Sequence, residues 1–167
     1  PGVDVNNIRG HYLQPPENAG FVKEALDAGD GLVIYGYYQS EKYYPDPNEV
    51  RRWYTFKEEI ARPLAERYAH IDFDRSVGVH LRYGDKVDLW DRYVLPRRSY
   101  YLAALSRVRR KDCVLVFSDN LAQARRLVDR LGVRPVYIEG HDECEDLYLL
   151  GRCRDTICSN STFSWWG

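Results

Sequence analysis

From residue 76 onward, short apolar runs alternate with segments in which apolar positions recur every three or four residues. The runs SVGVHLR (76–82), CVLVFS (113–118), RPVYIEG (134–140) and DTICSN (155–160) predict strands. Between them, RSYYLAALSRVRR (98–110), NLAQARRLVDRLG (120–132) and DECEDLYLLGRCR (142–154) predict helices. Gly132 closes the second helix, and Asp142 with Glu145 three residues later spells a capping box that opens the third. Strand and helix in strict alternation imply parallel pairing in a doubly wound α/β sheet.

The first part of the chain follows another pattern. Residues 18–29 predict a helix closed by Gly29, and GLVIYGYY (31–38) a strand leaving into a proline-bearing turn. Over 48–68, Val50, Trp53, Tyr54, Phe56, Ile60 and Leu64 fall at near-helical spacing, with a kink or break expected at Pro63. The change of pattern at 69–75 sets the expected domain boundary: 1–70 as the end of one domain and 71–167 as most of a nucleotide-binding-like domain. A chain that starts at Pro1 and stops in a helix start, STFSWWG, reads as a fragment.

Composition narrows the classes. With 44% hydrophobic residues and 14 tyrosines, the chain has ample material for a core, and disorder is excluded. Its 24 basic and 25 acidic residues leave a net charge of −1, too little for a global field that would draw nucleic acid. No apolar run nears the ~20 residues of a membrane span, so membrane association would need segments outside this chain. The four cysteines form no C-x-x-C pair and read as buried free thiols, and the scattered histidines offer no structural zinc spacing.

Three groups of residues carry candidate chemistry. In the first strand His80 and Arg82 share a face and stand at the carboxyl end, where open α/β sheets bind ligands, with Gly84 and Asp85 turning the chain and Lys86 beyond. A guanidinium presents parallel donors to a phosphate and an ammonium adds a point charge, so this group fits an anion; the structural alternative for Arg82 is a salt bridge to Asp85. The second group, CSNSTFSWWG, puts Ser159, Asn160, Ser161 and Thr162 at a strand end before a helix start. They can cap the helix or cradle a phosphate. Asn160-Ser161-Thr162 also matches a glycosylation sequon, set aside on the expectation of burial. The third is Asp146: an acid favoured in a first helical turn, or a carboxylate accepting two hydrogen bonds from the N1–H and N2–H edge of guanine.

Other patterns are decoys. The D-x-D of DFD (72–74) precedes its strand, where a loop is expected. The basic groups at Arg97–Arg98, Arg109–Lys111 and Arg125–Arg126 are solvated helix faces. No G-x-S-x-G, Walker A, G-x-G-x-x-G or H-E-x-x-H is present, so those hydrolase, phosphate-loop, dinucleotide and zincin readings lack their parts.

Taken in order, GYYQSEKYY (36–44), VGVHLRYGD (77–85), VLPRRSYYLAAL (94–105), VFSDN (116–120) and EDLYLLGRCRDTICSNSTFSWWG (145–167) resemble the family 11 glycosyltransferases, α-1,2-fucosyltransferases that use GDP-fucose. The resemblance implies a GT-B-like arrangement in which a Rossmann-like domain holds the donor and a partial N-terminal, acceptor-side domain precedes it. It implies that Arg82, with His80, meets the diphosphate, that Asp146 faces guanine, and that Asn160, Ser161, Thr162 and Phe163 line the phosphate end, with Asp85 and Lys86 completing the donor site. The family pattern has a second arginine after the first and a tyrosine after the aspartate. Here Tyr83 and Lys86 stand in those places.

The resemblance further implies inversion by single displacement, without metal or other cofactor, from GDP-β-L-fucose to a galactose-containing glycan. Asp88 and Asp91 are the candidate bases, each alternatively a surface loop acid. A bacterial-type parent would act in the cytoplasm, with peripheral attachment to the inner membrane an option; a metazoan type II membrane parent would act in the Golgi lumen. Two rivals stand beside this reading: a non-catalytic guanine-nucleotide or glycan binding module, favoured by Tyr83, and a fucosyltransferase of α-1,6 or protein O-linked specificity.

Overall fold

The computed structural model describes residues 10–13, 20–27, 31–36, 38, 40–44, 46–84 and 94–167. The chain divides into two compact units, Pro1–Thr55 and Phe56–Gly167.

In the first unit, strands β1 (Gly10–Leu13) and β2 (Leu32–Tyr35) pair in parallel, Gly10 opposite Leu32. The helix expected over 18–29 is, within the described residues, a single 3-10 turn at Lys23–Ala25. Its approach is held by Tyr43, whose hydroxyl accepts from the Val22 amide at 2.6 Å and whose ring lies 5.0 Å from Phe21. Helix α1 (Pro47–Trp53) opens at Asp46, whose carboxylate accepts from the Asn48 amide, with Pro47 at the first helical position, where its missing N–H costs nothing.

The second unit begins with α2 (Glu58–Arg67). The helical pattern of 48–68 is therefore two helices, and the break falls at 54–57, not at Pro63, which lies inside α2. There follow β3 (Ser76–Leu81), α3 (Arg98–Arg107), β4 (Cys113–Ser118), α4 (Leu121–Val128), β5 (Pro135–Tyr137), α5 (Glu143–Arg152), β6 (Asp155–Ile157) and α6 (Thr162–Trp166). The expected boundary at residue 70 lies beyond α2, because Leu64 and Tyr68 of that segment pack with Leu149 and Leu150 of α5. The four strands form one parallel sheet in the order β5-β4-β3-β6, the doubly wound α/β architecture read from the alternation.

Strand period and helix period explain the two layers. Val77, Val79 and Leu81 point to one face and pack with Val114, Val116, Tyr101 and Leu105 of α3, and Ala124 and Val128 of α4. Leu115 and Phe117 point to the other and meet α5 and α2. All six residues of β3 are buried, so this strand is the centre of the unit. Each fully buried Val, Leu or Phe here contributes roughly 1.5–3 kcal/mol before entropy is subtracted. Gly78 lets α5 pack against the strand backbone: a Cβ there would stand 2.6 Å from Leu150 Cδ1 and 3.1 Å from Cys153 Sγ. The predicted capping box opens α5, Asp142 accepting from the Glu145 amide at 2.8 Å and Glu145 from the Asp142 amide at 3.0 Å.

The cysteines are free. Burial pushes the Cys153 thiol up to about 11 and raises those of Cys113 and Cys158, which keeps them protonated and inert. Cys144, expected among the buried thiols, is exposed on the first turn of α5.

Candidate functional site

The order β5-β4-β3-β6 has a consequence for ligand binding. The chain steps outward from β3 to β4 to β5, then crosses back to place β6 on the other side of β3. The crevice between the carboxyl ends of β3 and β6 is thus the topological switch point, where α/β sheets of this kind take ligands. His80 and Arg82 come to this edge from β3, and Ser159 to Phe163 from β6.

The two sides are tied together. His80, 4% exposed, shares a hydrogen bond at 3.0 Å between its Nδ1 and the Ser159 hydroxyl. The ring of Phe163 lies 5.0 Å from the imidazole, tilted by 40°. His80 is therefore a buried strut across the switch point. Below it, the Tyr101 hydroxyl donates to the His80 carbonyl at 3.3 Å.

Arg82 lies one residue past the β3–β4 register of Leu81 with Ser118, and it forms an ion pair with the residue that directly follows β4, Asp119. Arg82 Nη1 and Asp119 Oδ2 stand 2.8 Å apart, with the arginine side chain 36% and the aspartate 22% exposed. The other carboxylate oxygen, Oδ1, accepts from the Tyr83 amide at 2.9 Å. The turn that carries Asp119 is held in place: Ser118 Oγ accepts from the Asn120 amide at 3.1 Å, and the Asn120 side chain caps α4 through the Gln123 amide at 3.0 Å. Gly84, at φ +22°, passes so close under Asp119 that a Cβ would collide with its carboxylate.

The segment after β6 does less capping than its composition suggests. Ser161 is the N-cap of α6 but makes no side-chain cap bond, and Ser164 instead donates to the Ser161 carbonyl at 3.2 Å. Ser159 is buried, whereas Asn160 and Thr162 are exposed. The sequon asparagine is thus not in a buried segment as expected; only its neighbour Ser159 is.

Asp146 lies in the first turn of α5, the helix that follows β5 and starts at the same edge of the sheet. Its Oδ1 is buried without a hydrogen-bond partner among the described residues. Burial pushes its carboxyl up to about 6, opposed by His141, with Glu145 and Asp142 adding to the rise. His141 itself is held between the Tyr68 hydroxyl at 2.8 Å and Glu145 Oε2 at 3.1 Å.

Residues 29–167 match the family model of Glycosyl transferase family 11. The chain belongs to glycosyl transferase family 11. Among its curated relatives, the family 11 chain is 28% identical over 161 residues to an alpha-1,2-colitosyltransferase of Escherichia coli, covering 90% of this chain and 56% of the relative. It is 30% identical over 103 residues to the O-antigen biosynthesis glycosyltransferase WbnK of Escherichia coli, covering 55% and 33%. The chain therefore spans about half of one relative's length and a third of the other's. Among solved structures it resembles that of POFUT1 in complex with GDP, with TM-score 0.44 and 11% identity over 74% of this chain and 47% of that one, too loose a likeness to equate their sites.

The structure of this family 11 chain joins His80 to Phe163 on the β6 side of β3 and pairs Arg82 with Asp119 on the β4 side, while Asp146 stands apart at the start of α5 with His141, Glu145 and Asp142 around it. Asp85, Lys86, Asp88 and Asp91 lie outside the described residues, and with them the proposed Arg82–Asp85 bridge. The D-x-D decoy falls at the amino end of β3, the opposite edge, where Phe73–Arg75 form a 3-10 turn and Phe73 is buried. The residue that sequence reasoning missed is Asp119. Its signal was an acid directly after an apolar strand, at the same place in β4 as Arg82 in β3.

Proposed function

We propose that the full-length protein is an inverting α-1,2-glycosyltransferase that moves L-fucose from GDP-β-L-fucose to a galactoside hydroxyl of a glycan, with this chain supplying the donor-binding half of a GT-B-like enzyme. The observation that carries the reading is the placement of Arg82, braced by Asp119, at the switch point between β3 and β6 in a family 11 chain. In this reading the acceptor oxygen bonds to C1 of the sugar as the C1–O bond to the diphosphate breaks, GDP leaves, and the hydroxyl proton passes to a carboxylate, Asp88 or Asp91. Arg82 and Lys86 stabilise the charge that grows on the departing diphosphate. Loss of one such preorganised donor costs ~10²–10³ in rate in other enzymes. Ser161, Thr162 and Phe163 border the phosphate end, and Asp146 accepts from the guanine edge. Neither a metal nor another cofactor is needed.

A second donor is favoured by one finding, the relative named for colitosyl transfer. Colitose is fucose without its 3-hydroxyl, so the same diphosphate and guanine contacts serve both. Among the described residues no helix is long and apolar enough to cross a membrane. With both named relatives from Escherichia coli, the parent is read as bacterial-type, and a cytoplasmic site of action is part of this proposal.

The test is transfer by the full-length protein from GDP-fucose and GDP-colitose to galactose-terminated acceptors in chelator, beside titrations with GDP and UDP. Preference for GDP over UDP with α-1,2 product supports the proposal, and the ratio of the two rates names the sugar. GDP binding without transfer to any acceptor leaves a binding module. Equal affinity for UDP, or activity abolished by chelator, refutes the donor assignment.

A further inference from the structure

We infer that Asp119 is a positioning residue for Arg82. This rests on the reading that Arg82 meets the donor diphosphate. The carboxylate holds two consecutive residues at the end of β3 at once: the Arg82 guanidinium through Oδ2 at 2.8 Å and the Tyr83 amide through Oδ1 at 2.9 Å. It is itself on a turn held by Ser118 and Asn120, so it is a fixed anchor and not a side chain that follows the arginine. A long arginine side chain that is not already oriented loses considerable rotamer entropy when a ligand orders it. Bound to Asp119 beforehand, Arg82 has its guanidinium oriented before donor arrives, and preorganisation of this kind acts on the transition state. Gly84 completes the arrangement, since any side chain there would displace the carboxylate. The cost is partial neutralisation of the arginine's charge. Orientation therefore has to outweigh attraction for Asp119 to be worth its place, and this makes a kinetic signature.

The experiment is a double-mutant cycle in the full-length protein, with transfer kinetics, GDP affinity and thermal melting recorded for Asp119→Asn, Arg82→Ala and the double variant. Asp119→Asn keeps the shape and removes the charge. It is expected to lower kcat about tenfold or more while the donor KM moves no more than about twofold, the pattern of a lost transition-state interaction. In the Arg82→Ala background the same change is expected to have no further effect on kcat, because a residue whose kinetic role runs through Arg82 has no guanidinium left to position; the bond to the Tyr83 amide is read separately in the melting temperature. Equal slowing in both backgrounds overturns the proposal by showing independent action, and so does a parental rate for Asp119→Asn. If Asp119→Asn does not fold, Asp119→Glu carries the same cycle, moving the charge outward by one methylene. Should Arg82→Ala itself transfer at the parental rate, the donor reading of the site fails, an outcome distinct from failure of the positioning role.

Discussion

Replacing Asp146 by asparagine is expected to change stability and nucleotide binding in opposite directions, each with its own pH dependence. Burial is the main cause that pushes this carboxyl from 3.8 to about 6, and its Oδ1 is buried without a partner among the described residues. A carboxyl bound more tightly to its proton in the folded state costs nothing where both states are protonated, below about pH 4. The cost grows as pH rises through 4 to 6 and is complete above that. A roughly hundredfold change in proton affinity corresponds to a ceiling of about 3 kcal/mol at about 1.4 per tenfold. Asp146 is only half-buried, and screening reduces the figure to about 1–2 kcal/mol. Asp146→Asn is therefore expected to be the more stable protein by that amount near pH 8, with the difference vanishing toward pH 4. Urea denaturation of both proteins across that range measures it.

For GDP the sign reverses. The guanine edge offers two donors, which an ionised carboxylate accepts together and an asparagine, with one acceptor and one donor, does not. GDP affinity of the parent is expected to weaken as pH falls through 6, with proton release on binding near pH 6 in calorimetry, and Asp146→Asn is expected to lose about tenfold or more at pH 7.5. A stability difference that stays flat with pH refutes the burial argument. Unchanged GDP affinity in the asparagine variant refutes the guanine contact alone.

Gly78→Ala is expected to destabilise the second unit by about 1–3 kcal/mol in chemical denaturation, since the new methyl enters the space of Leu150 Cδ1 and Cys153 Sγ. Ser159→Ala removes the hydroxyl bonded to His80 Nδ1 inside the buried switch-point pair; a loss of about 1–3 kcal/mol in the same measurement is expected, with Phe163 still in place. Asp142→Ala is expected to cost about 1 kcal/mol and to raise amide exchange in the first turn of α5, because one side of the capping box is lost.

The strands and helices of residues 76–167 were legible because their causes are local. Period-two and period-3.6 patterning decide which faces are apolar, Asp142 and Glu145 cap α5 from within four residues, and strict alternation of elements forces parallel pairing. Where the local signal was ambiguous, tertiary contacts decided. Nothing near Tyr54 announces that one helical pattern ends there and another begins at Glu58, since that follows from α2 packing on α5. The site divides along the same line. A basic side chain at a strand's carboxyl end is a local feature, so His80 and Arg82 could be selected from the chain alone. What each of them touches depends on strand order and register: β6 beside β3 brings Ser159 to His80, and pairing Leu81 with Ser118 brings Asp119 to Arg82. Register is an interaction between segments far apart in the chain, set by how whole faces bury together, and no single segment encodes it.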